Sequence, residues 1–124
     1  MAYSSATVLT VQEITRAGKS VTEQLAAATA THGDKFLNDG KTFLRIKNGD
    51  ASPITVTIQT PGTVDGQALA DLTVTIAATG DGDGLDFQDI GPFTAIYNQS
   101  DGYVWAVCSA VTSVTVGAYR LANP

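Results

Sequence analysis

Residues 33–58 read GDKFLNDGKTFLRIKNGDASPITVTI and contain two strand patterns separated by turn signals. Side chains of a β-strand point alternately to its two faces, so Leu44 and Ile46 share one face of a strand over residues 41–47. The opposite face carries Phe43, Arg45 and Lys47. This strand is therefore predicted to bury one apolar face.

The next strand pattern, residues 54–58, alternates more cleanly, with Ile54, Val56 and Ile58 on one face and threonines on the other. The turn signals around it include Asp39-Gly40 and Asn48-Gly49. Such pairs adopt the positive φ angles that tight hairpin turns require. We therefore predict that residues 41–58 form a hairpin with one buried face.

Similar apolar runs continue to the end of the chain, with turn formers about every ten residues. They cover residues 72–76, 85–90, 94–97, 103–108 and 111–121. About seven short strands without intervening helices predict an all-β fold, a single antiparallel β-sandwich or barrel-like domain. At 124 residues the chain is long enough to bury a core without metals or disulfides.

Residues 1–32 fit no single pattern. Residues 7–14 can form a strand with Val8 and Ile14 on one face and Leu9 and Val11 on the other. Residues 20–23 have the spacing of a capping box, which would start a short helix over residues 20–28, but the apolar stripe of such a helix is nearly absent. We favour an extended N-terminal arm, residues 1–32, that lies on a neighbouring subunit, followed by a β body, residues 33–124.

The charge distribution argues against nucleic acid as a partner. The net charge is −5, and of the seven Lys and Arg residues only Arg120 follows residue 50. Residues 51–119 carry several aspartates and no cation, so this part of the surface repels phosphate. The low proportion of charged residues, 15%, suits a protein that docks against a partner.

The single cysteine and the N-terminal residues bear on disulfide formation, secretion and membrane insertion. Cys108 has no internal disulfide partner and lies in an apolar run, so we expect a buried, inert thiol. The first residues lack the basic start and apolar core of a signal peptide, and no run approaches the length of a membrane span. We expect a soluble protein, made in a cytoplasm, without a membrane partner.

Catalytic motifs are absent from the sequence. His32 is the one histidine, and only Asp34 is near it. The chain has no Gly-x-Ser-x-Gly elbow, no P-loop and no His-Glu-x-x-His motif. We therefore expect neither an enzyme nor a cofactor.

An acidic, glycine-rich turn is a weak candidate for calcium. It contains Asp81, Asp83, Asp86 and Asp89, and hard cations bind where several carboxylates converge. The spacing departs from that of an EF-hand at three ligand or glycine positions, so a solvated acidic turn is the favoured interpretation.

Tyr103 and Trp105 alternate with Val104 in a run that is apolar on both faces. An aromatic pair on one face can form a platform for sugars. A strand that is apolar on both sides is normally central and enclosed, so we expect these rings to pack in the core.

Turn-rich motifs lie at residues 33–36, 38–44, 47–48, 61–66, 91–93 and 97–102. Together they resemble those of the decoration, or cement, proteins of tailed-bacteriophage heads, and the resemblance covers residues 33–121. The resemblance implies a non-enzymatic β protein, a homotrimer, on the outer surface of the virion's capsid. There it would clamp neighbouring copies of the major capsid protein. A tail-tube or baseplate β domain and a carbohydrate-binding module remain as alternatives.

The arm then supplies the predicted contacts to the capsid or to an adjacent copy. Its apolar anchors are Val8, Leu9, Val11 and Ile14, and Arg16 and Lys19 would meet acidic residues of the shell. Strand addition to a neighbour's open edge satisfies backbone groups on both chains.

Overall fold

The computed structural model describes residues 3–18, 25–68, 70–80 and 84–122, and its core lies between two β-sheets. The first sheet has the spatial order β1 (Thr7–Val8), β4 (Asp34–Leu37), β11 (Tyr103–Cys108), β6 (Ile54–Gln59) and β9 (Leu72–Ile76). The second has the order β10 (Phe87–Ile90), β5 (Thr42–Asn48), β12 (Val114–Leu121) and β2 (Val11–Ile14), and β3 (Ala26–Ala27) also pairs with β12. β7 (Thr63–Val64) and β8 (Gln67–Ala68) form a small separate hairpin.

The two sheets bury their facing sides against each other. In β6, Ile54, Val56 and Ile58 are buried while the residues between them are half-buried, as the alternation predicted. Leu44 and Ile46 of β5 are buried in the same way. Burial of apolar area is the main term that favours folding, and these alternating strands supply it.

The prediction of an all-β sandwich is confirmed, with two differences in its strands. The sheets are mixed, because β1 is parallel to β4 and β2 is parallel to β12. Residues 94–97, predicted as a strand, contain a short 3₁₀ turn, Ala95–Tyr97, whose backbone bonds close locally. Along the described residues, the structure has no helix of the length and apolar character needed to cross a membrane.

The predicted hairpin of residues 41–58 is wrong. β5 lies in the second sheet and β6 in the first, so the turn between them carries the chain from one sheet to the other. Asn48, which is fully buried, holds this corner. Its side-chain amide donates to the carbonyls of Ser52 (2.9 Å) and Ala77 (3.1 Å), and its oxygen accepts from the amide of Asp50 (2.9 Å).

The described part of the predicted arm belongs to the body of its own chain. Residues 7–14 are extended, as predicted, but they switch sheets: β1 lies at the edge of the first sheet and β2 at the edge of the second. Such sheet-switching strands form the closed corners of sandwiches. The helix considered for residues 20–28 lies partly outside the described residues, and its end, Ala26–Ala27, is strand β3.

Arg120 ties three separate segments together beside β2. Its guanidinium forms ion pairs with Glu13 of β2 and with Asp39, the latter at 2.8 Å, in the turn between β4 and β5. These hydrogen bonds, first the one to Asp39, raise the pKa of Arg120. The network fastens the N-terminal strands to the last strand of the sandwich.

Asp34 is a buried carboxyl group at the start of β4. It accepts hydrogen bonds from the backbone amide and the hydroxyl of Thr29, at 3.1 and 2.9 Å. Burial raises the pKa of Asp34, because removing a carboxylate from water disfavours its charged form.

Replacing Asn48 tests the corner. In Asn48→Ala, three backbone groups lose their partner, and we expect the free energy of unfolding to fall by about 2–3 kcal/mol. Equilibrium denaturation in urea measures this change. Lys47→Ala, at an exposed position of the same strand, should stay within about 0.5 kcal/mol of the unsubstituted protein. Equal losses in both variants would contradict the role given to Asn48.

The buried carboxyl of Asp34 should give stability a specific pH dependence. Since its folded pKa lies above the unfolded value, its contribution is fully present below the unfolded pKa of about 3.9 and is lost as pH rises through the folded pKa. Asp34→Asn removes this term, so the variant should gain stability relative to the unsubstituted protein as pH rises from about 3.9 to 7. Urea denaturation at several pH values measures it, and parallel curves would refute it.

Candidate functional site

The outer face of the first sheet carries a cluster of aromatic side chains. Tyr103 and Trp105 project from β11, the middle strand of that sheet, and both are half-buried. The rings of Tyr3 and Trp105 form an edge-to-face contact, with centroids 5.5 Å apart and planes at 67°. The indole nitrogen of Trp105 donates to the carbonyl of His32 at 2.7 Å. The expected core position of Tyr103 and Trp105 is therefore wrong, since Val104 and Ala106 take the buried side of β11.

Lys35 and Asp101 fix the position of Tyr3 on this face. The ammonium group of Lys35 lies 4.2 Å from the centroid of the Tyr3 ring and 5.7 Å from that of Tyr103. The Tyr3 hydroxyl donates a hydrogen bond to the Asp101 carboxylate. Burial, followed by this bond, raises the pKa of Tyr3, and the same bond lowers the pKa of Asp101. The N-terminal turn Tyr3–Ser5 is thus held against the middle of the sheet by charge and ring contacts.

Exposed aliphatic side chains lie directly beside these rings. Val8 is opposite Lys35 in the pairing of β1 with β4, and Leu37 is opposite Tyr103 in the pairing of β4 with β11. Val8 and Leu37 are 54% and 52% exposed. We call the surface formed by Tyr3, Val8, Lys35, Leu37, Tyr103 and Trp105 the aromatic face.

Threonines continue the same outer surface toward the edge of the sheet. Thr55 and Thr57 of β6 lie opposite Thr75 and Thr73 of β9. Their side chains share the outward side with Trp105, because β6 also pairs with β11 in register. The outer surface of the first sheet therefore joins an aromatic half to an uncharged hydroxyl half.

The residues predicted as partner contacts divide between surface and core. Val8 belongs to the aromatic face, whereas Leu9 is buried in the core of its own chain and cannot serve as a surface anchor in this fold. Val11 is half-buried against the same core, and Ile14 is half-buried at the edge of the second sheet. Arg16 is exposed, and Lys19 lies outside the described residues.

The outer surface of the second sheet is closed by its own side chains. Tyr119 is fully buried there, stacked on Phe43 with centroids 6.1 Å apart. The Arg45 guanidinium lies 4.6 Å from the Tyr119 centroid and bonds Asp89 through two nitrogens, at 2.8 and 3.2 Å. The hydrogen bond to Asp89 raises the pKa of Arg45. This arrangement stabilises the sheet and keeps Tyr119 covered, while Phe43 is half-buried.

Of the four aspartates of the calcium candidate, the two that are described, Asp86 and Asp89, have different partners. Asp89 is engaged with Arg45, and Asp86 accepts a weak bond from the amide of Gly80 at 3.4 Å. Asp81 and Asp83 lie outside the described residues. Among the residues that are described, no three His, Cys, Asp or Glu side chains form a group suited to a metal ion.

His32 and Cys108, the two side chains that could act as a base or a nucleophile, lie in different environments. His32 is half-buried, and its backbone carbonyl accepts the hydrogen bond from Trp105. Cys108 is half-buried on the core side of β11, and burial raises the pKa of its thiol to about 12. A thiol with that pKa is almost entirely protonated at neutral pH and is a poor nucleophile.

Tyr3→Ala should uncover Trp105. The chain has one tryptophan, so its fluorescence reports on this site alone. Loss of the ring contact and of the Lys35 interaction should shift the emission to longer wavelength, increase quenching by acrylamide and lower the free energy of unfolding by about 1–2 kcal/mol. Tyr3→Phe keeps the ring and is the matched control. Unchanged quenching in Tyr3→Ala would show that Tyr3 does not cover the indole.

No protein-family model, no curated protein and no solved structure matches the chain.

Proposed function

We propose that this protein is a non-enzymatic adhesion protein that cements the outer surface of a tailed-phage head, and that the aromatic face is its adhesive surface. The observation that carries the proposal is the exposure of Val8 and Leu37 beside Tyr103 and Trp105 on one sheet face. Tyrosine and tryptophan are enriched where protein interfaces gain most of their binding energy.

The chemistry of the aromatic face suits a protein partner. Lys35 is the one cation among its six residues, and it is already held by two rings. Burial of the apolar area beside it favours binding, and the penalty for desolvating charges is small because few charges are buried with it. Exposed apolar area of this kind marks interaction surfaces.

The face is also rigid before binding. Tyr103 and Trp105 stand on the central strand of a five-stranded sheet whose other side is packed in the core. Ordering loose side chains on binding costs about 0.5–1.5 kcal/mol each, and a preorganised face avoids much of that cost.

The capsid partner is supported by the resemblance of residues 33–121 to phage decoration proteins. On a shell, many identical copies bind a repeating lattice of the major capsid protein, so modest single contacts become collectively strong. The proposed unit is a homotrimer, which would place three aromatic faces at a three-fold position and clamp the subunits around it.

Leu37→Asp tests the aromatic face. The protein is mixed with expanded heads assembled without it, and the bound fraction is measured after sedimentation of the heads. A carboxylate at the centre of an apolar contact should weaken binding at least about tenfold.

Leu121→Asp is the matched control, because Leu121 is 63% exposed and belongs to the second sheet. It should bind as the unsubstituted protein does. Equal binding by both variants would remove the aromatic face from the proposal, and absence of binding by the unsubstituted protein would refute the capsid partner.

Carbohydrate binding is the second candidate, favoured by the outward position of Tyr103 and Trp105. A sugar ring stacks on an aromatic ring, and part of the Trp105 surface is occupied by Tyr3. Titration with oligosaccharides, followed by tryptophan fluorescence, should show saturable shifts that are larger in Tyr3→Ala if this candidate is correct. Binding of heads without any response to sugars favours the cement.

A further inference from the structure

β9 forms one edge of the first sheet. β9 pairs with β6 on one side, and within the part of the chain that the structure describes no strand pairs with its other side. The backbone N–H and C=O of Thr55 both form hydrogen bonds with Ser109, beside β11, so in β6 the backbone groups of the even-numbered residues point toward β9. By the alternation of an antiparallel ladder, Thr73 and Thr75 then direct their N–H and C=O groups away from the sheet.

The core is incompletely covered at the same edge. Leu72 and Val74 point to the core side of β9 but are only half-buried. Val56 and Ile58, the residues opposite Val74 and Leu72 on β6, are fully buried. One more strand beside β9 would therefore complete the burial of this part of the core.

The other sheet edges are protected in ways that β9 is not. The β10 edge carries the exposed Asp89, the β2 edge carries Glu13, and β1 has two residues. Short strands and charges are the usual means of preventing edge-to-edge association. β9 has five residues, Leu-Thr-Val-Thr-Ile, with neither charge nor proline. Asp71 directly precedes β9, but its carboxylate is turned toward Thr60 and accepts a hydrogen bond from the Thr60 backbone amide at 2.9 Å.

We propose that β9 pairs antiparallel with β9 of a second copy of this chain, so that two first sheets join into one continuous sheet. The occupant is argued from the strand's own sequence, which reads almost the same in both directions around Val74. A two-fold axis at Val74 therefore places Thr73 opposite Thr75, and Leu72 opposite Ile76. Outward threonines meet threonines, and core-side aliphatic residues meet aliphatic residues.

The register follows from which backbone groups of β9 point away from β6. Thr73 of each copy faces Thr75 of the other in hydrogen-bonded pairs, and the two copies of Val74 form the non-hydrogen-bonded pair between them. Two-fold contacts are self-complementary and are the commonest contacts in oligomers. Because a two-fold contact cannot build the proposed homotrimer, β9 pairing would join copies that belong to different trimers. The outer threonines of the two copies then extend as one uncharged surface from one aromatic face to the other.

The Gln88 side chain occupies part of this edge, and just beyond β9 the amide of Ala77 donates to the carbonyl of Leu85 at 3.1 Å. The Gln88 amide nitrogen donates to the carbonyl of Thr75 at 3.2 Å and to that of Leu85 at 2.7 Å. A carbonyl oxygen accepts two hydrogen bonds, so Thr75 can also accept from a second copy. Because Gln88 occupies space beside the strand, Gln88→Ala should strengthen the association.

The test begins with sedimentation equilibrium of the full chain. Thr73→Pro removes one outward N–H from each copy, and an edge strand tolerates proline where the N–H faces outward. Loss of two hydrogen bonds should weaken self-association at least about tenfold. Thr73→Val keeps the N–H and is the control, expected to associate as the unsubstituted protein does.

A cysteine pair tests the register independently of folding effects in Thr73→Pro. Non-hydrogen-bonded residues in an antiparallel pair have Cα atoms about 4.5 Å apart, within the range of a disulfide. In a Cys108→Ala background, Val74→Cys should therefore crosslink into dimers on mild oxidation. Thr75→Cys faces Thr73 of the other copy and should crosslink several times less.

The outcomes separate this pairing from the capsid proposal, on which it does not depend. The β9 pairing is overturned if the unsubstituted protein is monomeric. It is also overturned if Thr73→Pro leaves the oligomer unchanged and Val74→Cys crosslinks no better than Thr75→Cys. Head binding by Thr73→Pro leaves the cement proposal intact in that case. Conversely, if Val74→Cys crosslinks but the unsubstituted protein does not bind heads, the β9 pairing is supported and the capsid cement function is refuted.

Discussion

The two-residue period of β11 is the constraint on which the rest of the structure depends. This strand is the middle of the first sheet, so its inward residues, Val104 and Ala106, must fill the centre of the sandwich core. The same backbone geometry then forces Tyr103 and Trp105 outward. The core thus holds the aromatic face in place, and the N-terminal turn can rest on it only because the sheet beneath is fixed.

Alternation within a strand is a local property, and the sequence was sufficient to predict it. The buried sides of β5 and β6 followed from the spacing of aliphatic residues, and so did the division of residues 7–14, where Leu9 and Val11 face the core. Which strands pair is a non-local property. The turn at Asn48 has the composition of a hairpin, but its buried amide bonds Ala77, far along the chain, and directs the chain into the other sheet.

The candidate site was only partly predictable for the same reason. The run 103–108 is apolar on both sides, so its composition marks a central strand but does not say which side faces the core. That choice depends on Phe36, Val56 and other residues of neighbouring strands, which fill one side of the sheet. The cover supplied by Tyr3 could not be inferred either, because the residues that hold it, Lys35 and Asp101, are distant in sequence.

The parallel pairing of β2 with β12 has a mechanical consequence. A force that pulls the start of β2 and the end of β12 in opposite directions acts along these two neighbouring strands, which run the same way. The hydrogen bonds between them are then loaded together in shear, instead of opening one after another as in a peeled hairpin. The ion pairs of Arg120 with Glu13 and Asp39 cross the same seam. The sandwich is therefore built to resist extension at the place where β2 and β12 meet.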